Sequence, residues 1–138
     1  MTPEQVQAKL ALLAATLVRL RKLQATDLET FRGDDRNLDA ALRRLQVGIQ
    51  ILIDVGSHLV ARLGLGAPET SHDVLDRLEA AGKLPAGSAK RFGGIFAFGN
   101  RIVHLYDRID EPVVFDILTN DLTDMEELAR LYLAVMPS

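Results

Sequence analysis

The stretch FGNRIVHLYDRID, residues 98–110, gathers Asn100, Arg101, His104, Tyr106, Asp107, Arg108 and Asp110 in a chain that elsewhere reads mainly as amphipathic helix. His104 titrates near neutral pH and can serve as general acid or base. Arg101, one turn away, is the kind of fixed cation that a phosphate needs. Tyr106 can donate a hydrogen bond or accept a covalent group; its plainer reading is a core-edge aromatic with a wet hydroxyl. On a helical wheel Asn100, His104 and Asp107 fall within about one-sixth of a turn. They flank the apolar stripe and are not opposite it. Polar groups at such a boundary line clefts and interfaces; the plainer alternative is that His104 caps its own helix and Asn100 faces water.

Other polar positions are weaker candidates. Asp54 and His58 stand four apart on one helix, Asp54 between Ile53 and Val55. Such a pair can bind metal, but two ligands are too few, no HExxH occurs and the chain has three histidines. A hydrogen bond within the helix, between Asp54 and His58, is the expectation, and no metal site is expected. Arg43 and Arg44 read as a solvated or interface face, and His72 as surface. RFGGIFAFGN holds three glycines, but no strand precedes it and no Lys-Ser/Thr follows, so it is not a phosphate loop. In a helix those glycines mark close approaches of another backbone, with a helix-to-helix contact across a dimer as one way to offset their poor propensity.

The elements that must position these groups are helices. Thr2-Pro3-Glu4 starts the first, with Thr2 as cap, and Leu10, Leu13, Leu17 and Leu20 carry it to about Ala25. A short turn capped by Thr26 or Asp27 runs through Phe31. A long helix spans about Asp35 to Leu63, roughly 40 Å, and ends at Gly64 and Gly66. A third helix capped by Thr70 or Ser71 stops at Gly82. The fourth runs from near Ser88 toward Tyr106. Asp110-Glu111-Pro112 opens a last stretch carrying Val113, Ile117, Leu122, Leu128, Leu131 and Val135, with a bend expected at Asn120-Asp121. The fold expected is all-α, one domain over residues 1–138, an antiparallel bundle of about five helices.

Composition excludes several function classes. With 138 residues, 48% apolar and 25% charged, the chain is ordinary globular material able to bury one core. It has no cysteine, which removes disulfides, thiolate metal sites and Cys catalysis. No apolar run is long enough to span a membrane, and the N-terminus lacks the pattern of a signal peptide, so a cytoplasmic location is expected. A net charge of −3 argues against broad electrostatic binding of nucleic acid and leaves room for a small basic site.

The window resembles the RN-x-x-x-H-x-Y…ID signature of the HEPN superfamily, specifically its HepT-like toxins. LRRLQVGIQILIDVGSHLVARLG is similar to that family's long second helix, and DVLDRLEAAGKLP to the helix before the signature. The resemblance implies a homodimeric HEPN bundle whose two signatures meet in a shared cleft. It implies a metal-independent ribonuclease without cofactor, acting on RNA such as tRNA or mRNA as the toxin of a type VII toxin–antitoxin system. The partner implied is an MntA-like minimal nucleotidyltransferase antitoxin that transfers AMP to the signature Tyr. Carried onto this chain, His104 is the proton-transfer residue, Tyr106 the modified Tyr and Asn100 the Asn beside the catalytic Arg. That Arg should stand five residues before His104, where this chain has Gly99. Arg101 is the nearest substitute, about 160° away on a regular helix; Arg108 and Arg91 are weaker ones. Three readings stay open: Arg101 serves, from the same or the second subunit, in a working nuclease; the protein is a non-catalytic subunit that binds nucleotide, RNA or the transferase; or Gly99 is a disabling change.

Overall fold

A computed structural model describes residues 1–105 and 111–136, with the side chains of 103–105 outside that description. Seven helices lie among the described residues: α1 (Pro3–Gln24), α2 (Leu28–Arg32), α3 (Asp35–Arg62), α4 (Ser71–Ala80), α5 (Ser88–Leu105), α6 (Glu111–Asn120) and α7 (Leu122–Val135). The expected count of about five was low for two local reasons. The turn after α1 closes into a true helix, because the Asp27 carboxylate accepts from the Thr30 amide at 2.7 Å. The last stretch breaks at Asp121 and becomes two helices.

Most boundaries follow from caps. Thr2 and Gln5 cap α1 reciprocally, each side chain accepting from the other's amide at 3.1 and 2.8 Å. Asp27, not Thr26, caps α2; the Thr26 hydroxyl donates back to the Leu23 carbonyl. Thr70 caps α4. Gly64, Gly66 and Gly82 take positive φ values of 67°, 92° and 71°, which ends α3 and α4 where a side chain would be strained.

The 28-residue α3 is the hub and packs on every other helix. Its buried residues, from Ala41 through Ile49 and Leu52 to Val60, cover about half its circumference. α1 lies on one side of it with α6 and α7, and α4 and α5 pack together on another. The core is aliphatic, with Phe31, Phe92, Phe96 and Tyr132 as its large rings. No helix among the described residues is long and apolar enough to cross a membrane.

Candidate functional site

α5 carries the signature, and α3, α4 and α7 hold it in place. Its first turn contains no acidic residue. Glu79 of α4 fills that role: its carboxylate accepts from the Ala89 amide at 2.7 Å. Backbone hydrogen bonds from Ala89 and Gly87 hold the Glu79 carboxyl below its ordinary value, as expected of an anion at a helix N-terminus. The Ser88 hydroxyl donates to the Pro85 carbonyl at 2.6 Å and closes the turn before the helix.

The buried face of α5 comprises Phe92, Ile95, Phe96, Phe98 and Ile102 with Gly93 and Gly99 between them. The close approaches at these glycines are within the chain. A Cβ on Gly99 would meet Ile49 Cγ2 at 2.6 Å, and one on Gly93 would meet His72 Cε1 at 2.5 Å. The contact across a dimer is therefore not needed to account for either. Gly94 has nothing within 4 Å and lies exposed.

Asn100 and Arg101 are exposed on α5. The Arg101 guanidinium lies 5.9 Å from the centroid of the Phe98 ring, and among the described residues no carboxylate pairs with it. Arg91 is engaged: it donates to Asp124 Oδ1 at 3.1 and 2.8 Å. His104 falls in the last turn of α5, its side chain outside the description. Tyr106, Asp107, Arg108 and Asp110 lie outside the described residues. Beside Arg101 a groove of about 280 Å3 runs between α5 and the corner where α6 meets α7.

The helix-three pair sits elsewhere. Asp54 accepts from Gln50 Nε2 at 2.9 Å and lies 3.9 Å from Lys9 Nζ. The expected hydrogen bond to His58 is replaced by the one from Gln50, whose side-chain amide reaches forward one turn to Asp54. Asp54 and His58 are about 140° and 180° around α3 from Ile49, which faces α5, so the fold does not bring them to the signature. Burial, then the N-terminal ammonium and Arg62, push the His58 imidazole below its ordinary value. Arg43 is exposed beside the α1–α3 groove. His72 is half-exposed, pairs with Asp76 at 3.6 Å and shields Gly93. Among the described residues no three His, Asp or Glu side chains cluster as a metal site would require. A further cavity of about 540 Å3 between α1 and α7 is lined mainly by aliphatic side chains such as Leu10, Leu13, Leu17 and Leu133; its Arg21 and Glu126 pair with each other at 3.0 Å.

Sequence reasoning missed Asp121 and Phe98. Asp121 registers in the sequence only as a bend, yet it occupies the N-cap position of α7 without making a cap hydrogen bond and lines the groove beside Arg101. Its signal was the Asn-Asp pair inside an otherwise apolar helical run.

Comparison with known proteins bears on this arrangement. The HepT-like ribonuclease family matches residues 13–131. A curated relative, the tRNA nuclease HepT of Aphanizomenon flos-aquae, is 27% identical over 113 residues, 82% of this chain and 77% of that protein. The tri-AMPylated Shewanella oneidensis HEPN toxin in complex with MNT antitoxin shares the fold at a TM-score of 0.84 and 21% identity, over 97% of this chain and 99% of that one. A toxin–antitoxin structure with AMP-PNP matches at 0.83 and 20%, over 96% and 99%. With the family matched from α1 to α7 and the fold matched over nearly the whole length, this chain belongs to the HepT-like ribonuclease family.

Proposed function

We propose that the chain is the toxin of a HepT/MntA-type pair, a metal-independent endoribonuclease acting on tRNA in a cleft between two copies. Its activity is held off when an MntA-like nucleotidyltransferase transfers AMP to Tyr106. In the reaction the RNA 2′-oxygen attacks the adjacent phosphorus and the bond to the 5′-oxygen breaks, leaving a 2′,3′-cyclic phosphate and a free 5′-hydroxyl. His104 takes the 2′-hydroxyl proton or supplies the one that the leaving oxygen needs. Arg101 steadies the charge that builds on the phosphate, and Asn100 lies beside it.

The observation that carries this reading is the state of the cations on α5. Arg91 is neutralised by Asp124, whereas Arg101 is exposed one turn before His104 with no carboxylate partner among the described residues. A second reading, a non-catalytic subunit that binds nucleotide or the transferase, draws support from Gly99. Position 99 is buried against Ile49, and a Cβ there would meet Ile49 Cγ2 at 2.6 Å, so a side chain such as the signature's arginine requires Ile49 to shift.

The test is incubation of purified protein with total tRNA in EDTA. Cleavage lost in both His104→Ala and Arg101→Ala supports the nuclease. Intact tRNA with the native chain, and with Gly99→Arg combined with Ile49→Ala to make room, favours the binding subunit. Incubation with ATP, magnesium and a transferase partner, followed by mass spectrometry, tests Tyr106: a mass gain that persists in Tyr106→Phe refutes that assignment.

A further inference from the structure

We propose that the groove between α5 and the α6–α7 corner is a mononucleotide subsite, in which Arg101 takes a phosphate and Asp121 reads the amino-bearing edge of a base in the bound RNA. The inference rests on the nuclease reading and adds a specificity-determining residue to it. The groove, about 280 Å3, is bounded by Gly94, Ala97, Phe98, Arg101, Ile117 and Asp121. That volume is just below the range of pockets that hold drug-sized ligands, about 300–1,000 Å3, and suits a single nucleotide unit. Its floor is open because Gly94 carries no side chain and nothing lies within 4 Å of where one would begin. Phe98 and Ile117 give apolar flanks against which the face of a base can pack.

Of the three charged residues that line it, Arg91 is engaged by Asp124, whereas Arg101 has no carboxylate partner among the described residues and its guanidinium lies 5.9 Å from the Phe98 ring centroid. Asp121 stands where Asp27 and Asp34 stand on their own helices, and those two carboxylates accept amide hydrogen bonds at 2.7 and 3.0 Å. Asp121 makes no such bond. Burial, with Asp124 and Asp116 close by, pushes its carboxyl above the ordinary value, so an N–H brought to it is stabilising. An ionised carboxylate only accepts hydrogen bonds. It therefore favours bases presenting an exocyclic amino group (cytosine, adenine, guanine) over uracil, which presents a carbonyl there.

The experiment is a 15N–1H titration of the full chain with each of the four nucleoside 5′-monophosphates. Shifts are expected at the Gly94, Ala97 and Asp121 amides, with UMP binding weaker than CMP by about tenfold or more, the discrimination one such contact gives. Asp121→Asn, which supplies a donor as well as an acceptor, should narrow that ratio toward one. Gly94→Leu should abolish the shifts while the protein stays folded, since its side chain occupies the groove, its Cβ has no atom within 4 Å and leucine raises helix propensity. Silence of the groove toward all four nucleotides, or shifts that survive Gly94→Leu, overturns the subsite. A response to AMP alone overturns the assignment to RNA. Cleavage of tRNA alongside a silent groove refutes the subsite and leaves the nuclease standing. A responsive groove with intact tRNA refutes the nuclease and leaves a nucleotide site.

Discussion

The Gly99–Ile49 contact sets a steric cost on any side chain at the signature arginine's position, and a double-mutant cycle can measure it. The perturbation is Gly99→Ala, alone and with Ile49→Ala. In the native background a Cβ at position 99 meets Ile49 Cγ2 at 2.6 Å, with Ile49 Cβ at 3.5 Å and Cδ1 at 3.8 Å. Ile49 is 1% exposed and β-branched, so it has little freedom to turn away. Overpacking of this kind costs about 1–3 kcal/mol, while replacing Gly by Ala within a helix returns about 1 kcal/mol. Gly99→Ala should thus lose about 0–2 kcal/mol by itself. Ile49→Ala costs about 2–5 kcal/mol, but it removes Cγ2 and everything beyond. In that background Gly99→Ala should gain about 1 kcal/mol, a reversal of sign. The coupling is then about 1–3 kcal/mol, within the range for residues in contact. Urea unfolding followed by far-UV circular dichroism, at one protein concentration in case the chain self-associates, gives all four corners. A coupling below about 0.5 kcal/mol, the level of independent sites, would refute the steric account. Gly99 would then be an isolated change that a simple Gly99→Arg could reverse.

Two further outcomes follow from polar groups in the core and at a helix end. Glu79 has a folded-state carboxyl value held below the ordinary 4.5 by amide hydrogen bonds from α5, so its stabilisation is complete above that value and fades as pH falls through the lower folded one. The stability gap between native protein and Glu79→Gln should be full near neutrality and shrink in acid, as read by urea unfolding at several pH values; a gap that widens in acid would contradict the cap. The Tyr132 hydroxyl is buried over Gly56 with no hydrogen-bond partner among the described residues, so Tyr132→Phe should be neutral or stabilising by about 1 kcal/mol. A loss above about 1 kcal/mol in the same assay would mean that the hydroxyl has a partner.

How far the sequence could be read depended on whether an outcome was local. The limits of α1, α3 and α4 were legible because caps and stop signals act within a few residues: Thr2 and Pro3, Gly64 and Gly66, Thr70 and Gly82 all do what their chemistry dictates. The helix count was less legible. Asp121 sits in an apolar run whose period continues on both sides, and a break there is decided by how α6 and α7 each dock on α1 and α3. The Asp54–His58 pair shows the limit of spacing arguments. Four residues is the right separation for a hydrogen bond, yet Gln50 stands at the same separation on the other side, and nothing in the pattern ranks the two. Gly93 and Gly99 were readable as close approaches, but their partners, His72 and Ile49, are long-range neighbours that only the fold identifies.

The geometry of α5 also decides what it means to move the signature cation from position 99 to position 101. On a regular helix position 99 is about 140° around from His104 and five residues back, whereas position 101 is about 60° around and three residues back. Arg101 is therefore nearer in angle and in rise to the residue with which it would have to cooperate. The displacement changes the approach of the substrate as well. A cation at position 99 would point toward Ile49 and α3; Arg101 points to the groove shared with Ile117 and Asp121. On the nuclease reading the reacting phosphate must then lie over the groove side of α5, so that the neighbouring nucleotide falls between Phe98 and Asp121. On that same reading, a cation at position 101 faces a groove wall that one at position 99 would not, and the proposed choice of RNA falls to residues at the α6–α7 corner.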